Sequence, residues 1–267
     1  MSDAFAKLTA EAAMRRRQLP AESDLVPYTP GFPPGRRWLV LAPHPDDEVF
    51  GIGATLAQAV ARGVEVTLCV VTDGGAQGEA ADREREALAG ATALGLDEPE
   101  FWRLPDRSLQ PRDAALRRAV RSALERHCPE VVFVTSPVEL HPDHRALALA
   151  LQLVLRATTL AGLRTGLPAW VAAFEVGTAL QPNLLVAADQ SWEAKRRACA
   201  CHAGQLAFRS YDRIMEALGT LRSLTLTGVE HAEALHVLPA RRVARLSARR
   251  WASLMGSPEG VAERRER

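Results

Sequence analysis

Short apolar runs alternate along the chain with segments of helical spacing. Trp38–Ala42 is apolar without interruption, which is typical of a strand covered on both faces. The pattern predicts further strands at Val64–Thr72, Glu100–Leu104, Val131–Thr135, Trp170–Val176, Leu184–Ala188 and Ala234–Leu238. It predicts helices at Ala54–Arg62, Ala80–Leu94, Asp113–His127, Arg145–Leu160, Ser191–Ala203 and Tyr211–Leu221. This alternation indicates an α/β fold with a mainly parallel sheet between two layers of helices.

Polar clusters follow two of these strands directly. H-P-D-D-E (His44–Glu48) follows the first strand, and H-P-D-H (His141–His144) follows the fourth. Parallel strands end at one edge of the sheet, and the common strand order 3-2-1-4-5 makes the first and fourth strands neighbours. We therefore expect the two clusters to face each other in an active site at the carboxyl edge of the sheet.

The residue types in the first cluster suit metal chemistry. His44 and Asp47 are three positions apart, so they share a face in a first helical turn, whereas Asp46 projects elsewhere and is free for proton transfer. A histidine and a carboxylate are two ligands for a cation such as zinc, and the second cluster can supply the third. The competing interpretation is that both clusters merely begin helices, where Pro and acidic residues are favoured.

The two motifs together resemble the LmbE/PIG-L family of zinc-dependent deacetylases, which act on N-acetylglucosaminyl groups. The resemblance extends from about Trp38 to Val237. It implies a Rossmann-like three-layer sandwich with one Zn²⁺ per chain, although other divalent metals remain open. The implied ligands are His44, Asp47 and His144. The resemblance also implies that Asp46 is the general base and that His141 polarises or protonates the substrate.

Further roles follow from the resemblance and from position. Arg83 and Asp106 match sugar-binding positions of the family, although Arg83 could instead pair with Glu86 or Glu79 on a solvated helix face. Three carboxylates are expected to support the site from outside the ligand set: Glu48, Asp73 and Asp143. The chain departs from the family at Glu139, where some members carry a tyrosine that stabilises the oxyanion.

Net charge and cysteine spacing limit the kinds of partner and compartment that the chain can have. The formal net charge is +1, so the chain lacks the global basicity of a nucleic-acid binder. Four cysteines without disulfide-framework spacing fit a reducing cytoplasm. No signal peptide or membrane-spanning apolar run is expected. The expected partner is a small amino sugar or glycoconjugate, and a homo-oligomer remains open.

The chain is expected to divide into a leader (1–37), one catalytic domain (38–240) and an arginine-rich tail (241–267). The leader begins with a short helix over residues 1–17 and continues as a proline-rich segment. The tail pattern is that of a docked or frayed amphipathic helix, with contact to an anionic membrane surface as the alternative.

The expected function is therefore zinc-dependent removal of the N-acetyl group from an N-acetylglucosamine-type sugar or glycoconjugate. A metal-dependent amidase acting on another acylated amine is the alternative. Two histidines and a carboxylate also form the ligand set of non-haem iron oxygenases. The last alternative is a nucleotide-binding Rossmann module without catalysis. It would leave Asp46 and the second histidine pair without a role.

Overall fold

The computed structural model describes residues 29–162 and 167–256. The strands in these ranges are β1 (Thr29–Pro30), β2 (Arg37–Ala42), β3 (Glu65–Thr72), β4 (Glu100–Leu104), β5 (Val131–Thr135), β6 (Trp170–Phe174), β7 (Leu184–Ala187) and β8 (Ala232–Pro239). The α-helices are α1 (Asp47–Ala61), α2 (Ala80–Leu94), α3 (Ala114–His127), α4 (Pro142–Leu160), α5 (Asp189–Ala200), α6 (Ala203–Phe208), α7 (Tyr211–Ser223), α8 (Ala240–Arg245) and α9 (Ala248–Met255). The helix predicted over residues 1–17 lies outside the described residues, as do most of the leader and the last part of the tail.

The strands form one sheet in the order β4-β3-β2-β5-β6-β8-β7-β1. The five neighbouring strands β4, β3, β2, β5 and β6 are mutually parallel. Strand β8 runs antiparallel to both of its neighbours, β6 and β7. Counted from the strand at Trp38, the first five strands have the order 3-2-1-4-5, so that prediction is confirmed. Strand β2 lies at the point where the order reverses, and β5 is its neighbour.

Helices cover both faces of the sheet, as the apolar strands predicted. Along β2, Val40 and Ala42 pack with residues of α1, α2 and α5, whereas Leu39 and Leu41 pack with residues of α3, α4 and α8. This alternation reflects the two-residue side-chain period of a strand. The α/β three-layer fold expected from the sequence is confirmed.

Helix α1 begins earlier than the sequence pattern predicted. It starts at Asp47 rather than at Ala54, and it is broken at Ile52, where φ is −136° and ψ is 20°. The carboxylate of Glu233 on β8 accepts hydrogen bonds from the backbone N–H groups of Ala54 (3.0 Å) and Thr55 (2.7 Å). The break therefore has a side-chain partner, and the first turn of α1 is set apart from the rest of the helix.

The described part of the arginine-rich tail forms α8 and α9. Trp251 and Met255 of α9 are each 1% exposed and belong to the core cluster that also contains α3 and α4. The tail residues up to Gly256 thus pack as a docked amphipathic helix. The division into leader, domain and tail remains a prediction.

Candidate active site

Three side chains from the two sequence clusters converge at the carboxyl edge of β2 and β5. The Nδ1 atom of His44 lies 3.0 Å from Oδ2 of Asp47, and Nε2 of His144 lies 3.2 Å from Oδ1 of Asp47. The same two histidine nitrogens are 3.2 Å apart. All three residues are buried, with 9% exposure or less. The structure therefore brings together the three residues that the sequence singled out as ligands.

The donor set fits a metal ion. In a tetrahedral zinc site with bonds of about 2.0–2.1 Å, neighbouring ligand atoms lie about 3.3 Å apart. The two histidine nitrogens are 3.2 Å apart, and each faces a different oxygen of the Asp47 carboxylate. Two further donor groups overlap at His44: His44 with His141 and His144, and His44 with Asp106 and Asp143. In each group the ligand atoms lie within 4.8 Å of one another, and His44 Nε2 is 3.1 Å from Asp106 Oδ1. The residues present can therefore hold a metal.

Protein groups alone favour positive charge at this point. Burial lowers the pKa of His144, but the carboxylates of Asp47 and Glu139 raise it to about 9. Burial likewise lowers the pKa of His44, yet Asp47 and its other carboxylate neighbours hold it well above its usual value. Burial raises the pKa of Asp47, but His144 and His44 hold it well below its usual range. Protons on the histidines or a bound cation can supply this charge.

Two further carboxylates, Asp106 and Asp143, lie on the opposite side of the His44 ring from Asp47. The Nε2 atom of His44 lies 3.1 Å from Asp106 Oδ1 and 3.5 Å from Asp143 Oδ2. Asp143 also accepts hydrogen bonds from the backbone of Arg107 (2.7 Å) and Leu109 (3.2 Å). Carboxylates in this position fix the orientation and tautomer of a ligand histidine. Asp143 thus lies where the sequence analysis expected a supporting group, and the sugar-binding role of Asp106 stays a prediction.

Glu139 has a contact that sequence reasoning missed. Its Oε2 lies 3.6 Å from Nδ1 of His144, and its carboxylate accepts hydrogen bonds from the backbone of Val176 (2.7 Å), Gly177 (3.1 Å) and Thr178 (3.2 Å). It is 1% exposed. The sequence signal for this contact was the position of Glu139 beside the H-P-D-H motif, at the carboxyl edge of the sheet. From the sequence, Glu139 was notable only because some family members have a tyrosine at this position.

Asp46 and Arg83 form a buried ion pair. The Nη2 atom of Arg83, on α2, donates to Oδ2 of Asp46 at 2.9 Å, and Arg83 is 4% exposed. The Nη1 atom of Arg83 lies 3.6 Å from Oε2 of Glu86. Arg83 is therefore not on a solvated helix face, because its guanidinium lies between the two carboxylates. Asp46 is oriented by this pair rather than free of protein contacts.

His141 is the N-cap residue of α4. Its Nδ1 accepts a hydrogen bond from the backbone N–H of Asp143 at 3.3 Å. Burial and the charge on His44 lower the pKa of His141, which favours the neutral ring. Because Nδ1 accepts, the proton of the neutral ring lies on Nε2. His141 can therefore donate a hydrogen bond from Nε2.

The remaining two predicted carboxylates lie outside this constellation. Glu48 is fully buried, neither of its oxygens accepts a hydrogen bond from another described residue, and burial raises its pKa to about 8. Asp73 Oδ1 accepts hydrogen bonds from the backbone of Gly75 (3.0 Å) and Asp106 (3.3 Å). Asp73 thus supports the loop that carries Asp106. The supporting roles of Glu48 and Asp73 stay predictions.

The cluster lies in a cavity of about 510 Å³. This is within the range of about 300–1,000 Å³ that small-molecule sites occupy. The cavity is lined by seven residues of the predicted site: His44, Asp46, Asp47, Arg83, Asp106, His141 and His144. The site residues are therefore accessible to a small ligand.

Comparison with known proteins places this arrangement in a wider group. The family model for PIG-L, described as GlcNAc-PI de-N-acetylase, matches residues 39–155, which include both motifs. The diacetylchitobiose deacetylase of Thermococcus kodakarensis is 26% identical over 76% of this chain and 84% of its own length. The family match and the deacetylase relatives support an enzyme of the N-deacetylase class. Residues 39–155 thus match the PIG-L family model, as the sequence motifs indicated.

Solved structures share the fold. The N,N'-diacetylchitobiose deacetylase from Pyrococcus horikoshii superimposes with a TM-score of 0.65 at 24% identity, over 77% of this chain and 85% of that one. The 4-carboxy-2-hydroxymuconate hydratase from Pseudomonas putida gives 0.61 at 23% identity, over 76% of this chain and 96% of that one. Because a hydratase shares the fold, the reaction must be argued from the site.

Among the described residues, no helix has the length and apolar character needed to cross a membrane.

Proposed function

We propose that this chain is a zinc-dependent hydrolase that removes the N-acetyl group from an N-acetylglucosamine-type sugar or glycoconjugate. The observation that supports the proposal best is the convergence of His44, Asp47 and His144 on one point of a cavity that also contains Asp46 and His141. The named deacetylase relatives support the substrate class.

Zn²⁺ held by His44, Asp47 and His144 would supply a Lewis acid for the amide oxygen and a water of lowered pKa. Asp46 accepts the proton of the attacking water, and its ion pair with Arg83 fixes the direction of the carboxylate. His141 donates from Nε2 to the developing oxyanion. The leaving amine needs a proton, which Asp46 or His141 delivers.

The sugar contacts form a separate part of the proposal. Arg83 and Asp106 line the cavity, and their guanidinium and carboxylate groups can hydrogen-bond to hydroxyl groups. Each also holds a residue of the reaction centre, because Arg83 pairs with Asp46 and Asp106 contacts His44. Their loss is therefore expected to affect positioning as well as sugar binding.

The proposal includes a location in the cytoplasm. All four cysteines lie in the described residues and are free thiols, which fits a reducing compartment.

Release of acetate tests the proposal. Zinc-loaded protein is incubated with methyl N-acetylglucosaminide and with N-butylacetamide, which has the same amide but no ring. We expect acetate from the glycoside at a much higher kcat/KM, because the ring supplies positioning contacts. Comparable rates on both would favour an amidase acting on another acylated amine. A metal-loaded protein that releases no acetate from either would refute N-deacetylation.

A further inference from the structure

The cavity has a polar floor, and its rim combines apolar side chains with two exposed arginines, Arg107 and Arg209. Three large apolar side chains at its mouth are open to solvent: Leu140 is 77% exposed, Phe208 61% and Ile214 41%. In the described part of the chain, six large apolar side chains are exposed, and the other three do not line this cavity: Leu160, Leu221 and Leu224. Isolated exposed apolar residues are ordinary, but several around one concave site indicate a binding surface.

The rim residues come from elements whose backbone is fixed. Leu140 donates its N–H to Thr178 Oγ1 (3.1 Å), and its carbonyl accepts from Arg145 Nη1 (2.6 Å). Its side chain thus stays at the mouth beside His141. The Leu140 side chain is therefore exposed in the folded protein without any movement of the backbone.

The second part of the rim lies where α6 meets α7. Phe208 ends α6, and the ring of Tyr211 stacks on Phe50 with centroids 5.1 Å apart and planes at 14°. Tyr211 and Ile214 are three residues apart on α7, so they share a helix face. Tyr211 and Phe50 also line the cavity. This corner therefore presents several apolar side chains next to the reaction centre, together with the exposed Arg209.

We infer that the rim is a subsite for an apolar aglycone, so that the substrate is an N-acetylglucosaminide whose glycosidic substituent is an aryl or alkyl group. This inference rests on the proposed function, which places the amino sugar over His44, Asp46 and His141. The substituent then extends toward the mouth. Leu140, Phe208 and Ile214 offer no hydrogen-bonding groups, so the part of the substituent that lies against them binds more favourably when it is apolar.

Binding of product analogues tests the inference independently of turnover. Methyl and phenyl glycosides of glucosamine of the same anomeric form, and the glucosamine disaccharide, carry no acetyl group and cannot be deacetylated. Calorimetry on the zinc-loaded protein should give a Kd for the phenyl glycoside at least about tenfold lower than for the methyl glycoside. A tenfold difference corresponds to removal of about 55 Å² of apolar surface from water.

Two substitutions locate the effect. Phe208→Ser should reduce the preference for phenyl over methyl to about threefold or less, whereas Leu224→Ser, at a site 79% exposed and outside the cavity, should retain it. Equal or undetectable binding of both monosaccharide glycosides would overturn the inference. So would tighter binding of the disaccharide than of the phenyl glycoside, or a preference that Phe208→Ser does not change. Loss of acetate release, in contrast, bears on the proposed function alone.

Discussion

At the scale of single residues, Glu139 connects the metal-binding cluster with the loop that follows β6. Its carboxylate contacts His144 on one side and the backbone of residues 176–178 on the other. A neutral amide at this position would keep the shape but remove the negative charge beside the ligand imidazole. Partners of this kind set the basicity of a ligand histidine.

Glu139→Gln should therefore weaken zinc binding by about 10- to 100-fold, the usual cost of removing such a partner. The affinity is measured by competition with a chromogenic chelator. Glu125→Gln, which changes an exposed glutamate of α3, serves as the matched control and should bind zinc as the wild type does. An unchanged affinity in Glu139→Gln would show that His144 does not depend on this carboxylate.

Glu48 should make the stability of the zinc-free protein depend on pH. Burial raises its pKa to about 8 in the folded state, against 4.5 for an ordinary glutamate. Between these values the folded state keeps a proton that the unfolded state has lost, so the free energy of unfolding falls as pH rises from 4.5 to 8. Glu48→Gln removes this dependence.

We expect Glu48→Gln and wild type to be nearly equal at pH 4, and the variant to gain on the order of a few kcal/mol by pH 8. Urea unfolding of chelator-treated protein from pH 4 to 9 measures the difference. Glu98→Gln, on an exposed glutamate, should show no such trend. A constant difference between Glu48→Gln and wild type at all pH values would contradict the assignment.

Among the site residues, those in the two motifs were predictable because strand ends place them on one edge. The contacts of Glu139 and the Asp46–Arg83 pair were not. Their partners come from different elements, and no local pattern records which way a side chain turns. Arg83 lies within a charged helix, and its sequence does not distinguish a buried guanidinium from a solvated one.

At the scale of elements, the broken helix α1 depends on a buried ion pair. Lys195 Nζ lies 2.6 Å from Glu233 Oε1, and both side chains are 2% exposed. Glu233 also accepts the two N–H groups that the break at Ile52 leaves free. The first turn of α1 carries the proposed ligand Asp47, so this pair supports the geometry of the site.

Glu233→Gln should lower the free energy of unfolding by about 3–5 kcal/mol, because it leaves the buried Lys195 charge without a counter-charge. The double variant Lys195→Met/Glu233→Gln should recover part of this loss. Chemical denaturation measures both. Asp82→Asn, which breaks the exposed pair with Arg85, should cost about 1 kcal/mol or less. A loss in Glu233→Gln no larger than in Asp82→Asn would contradict this account of the helix.

The bounds of α2 and β4 were predicted correctly because local signals mark them. Gly95 ends α2 in the left-handed conformation, with φ of 78°. The start of α1 was predicted wrongly because its break depends on Glu233, which lies 179 residues from Ala54 in the chain. Such a distant partner leaves no trace in helical spacing.

At the scale of the whole molecule, the parallel half of the sheet was predictable and the other half was not. Alternating strands and helices favour one common strand order, and this order brought the motifs together at β2 and β5. The insertion of β8 between β6 and β7 is a pairing of distant segments with no turn signal. It positions Glu233, so the unpredicted half of the sheet also supports the site.

We propose that removal of the acetyl group depends on one divalent metal bound by His44, Asp47 and His144. The most direct measurement is a titration of zinc into chelator-treated protein while acetate release from methyl N-acetylglucosaminide is followed. We predict that the rate rises linearly and saturates at about one zinc per chain, and that Asp47→Ala stays inactive at this ratio because it lacks one of three ligands. Full activity before zinc is added, or wild-type activity in Asp47→Ala at one equivalent, would contradict the account.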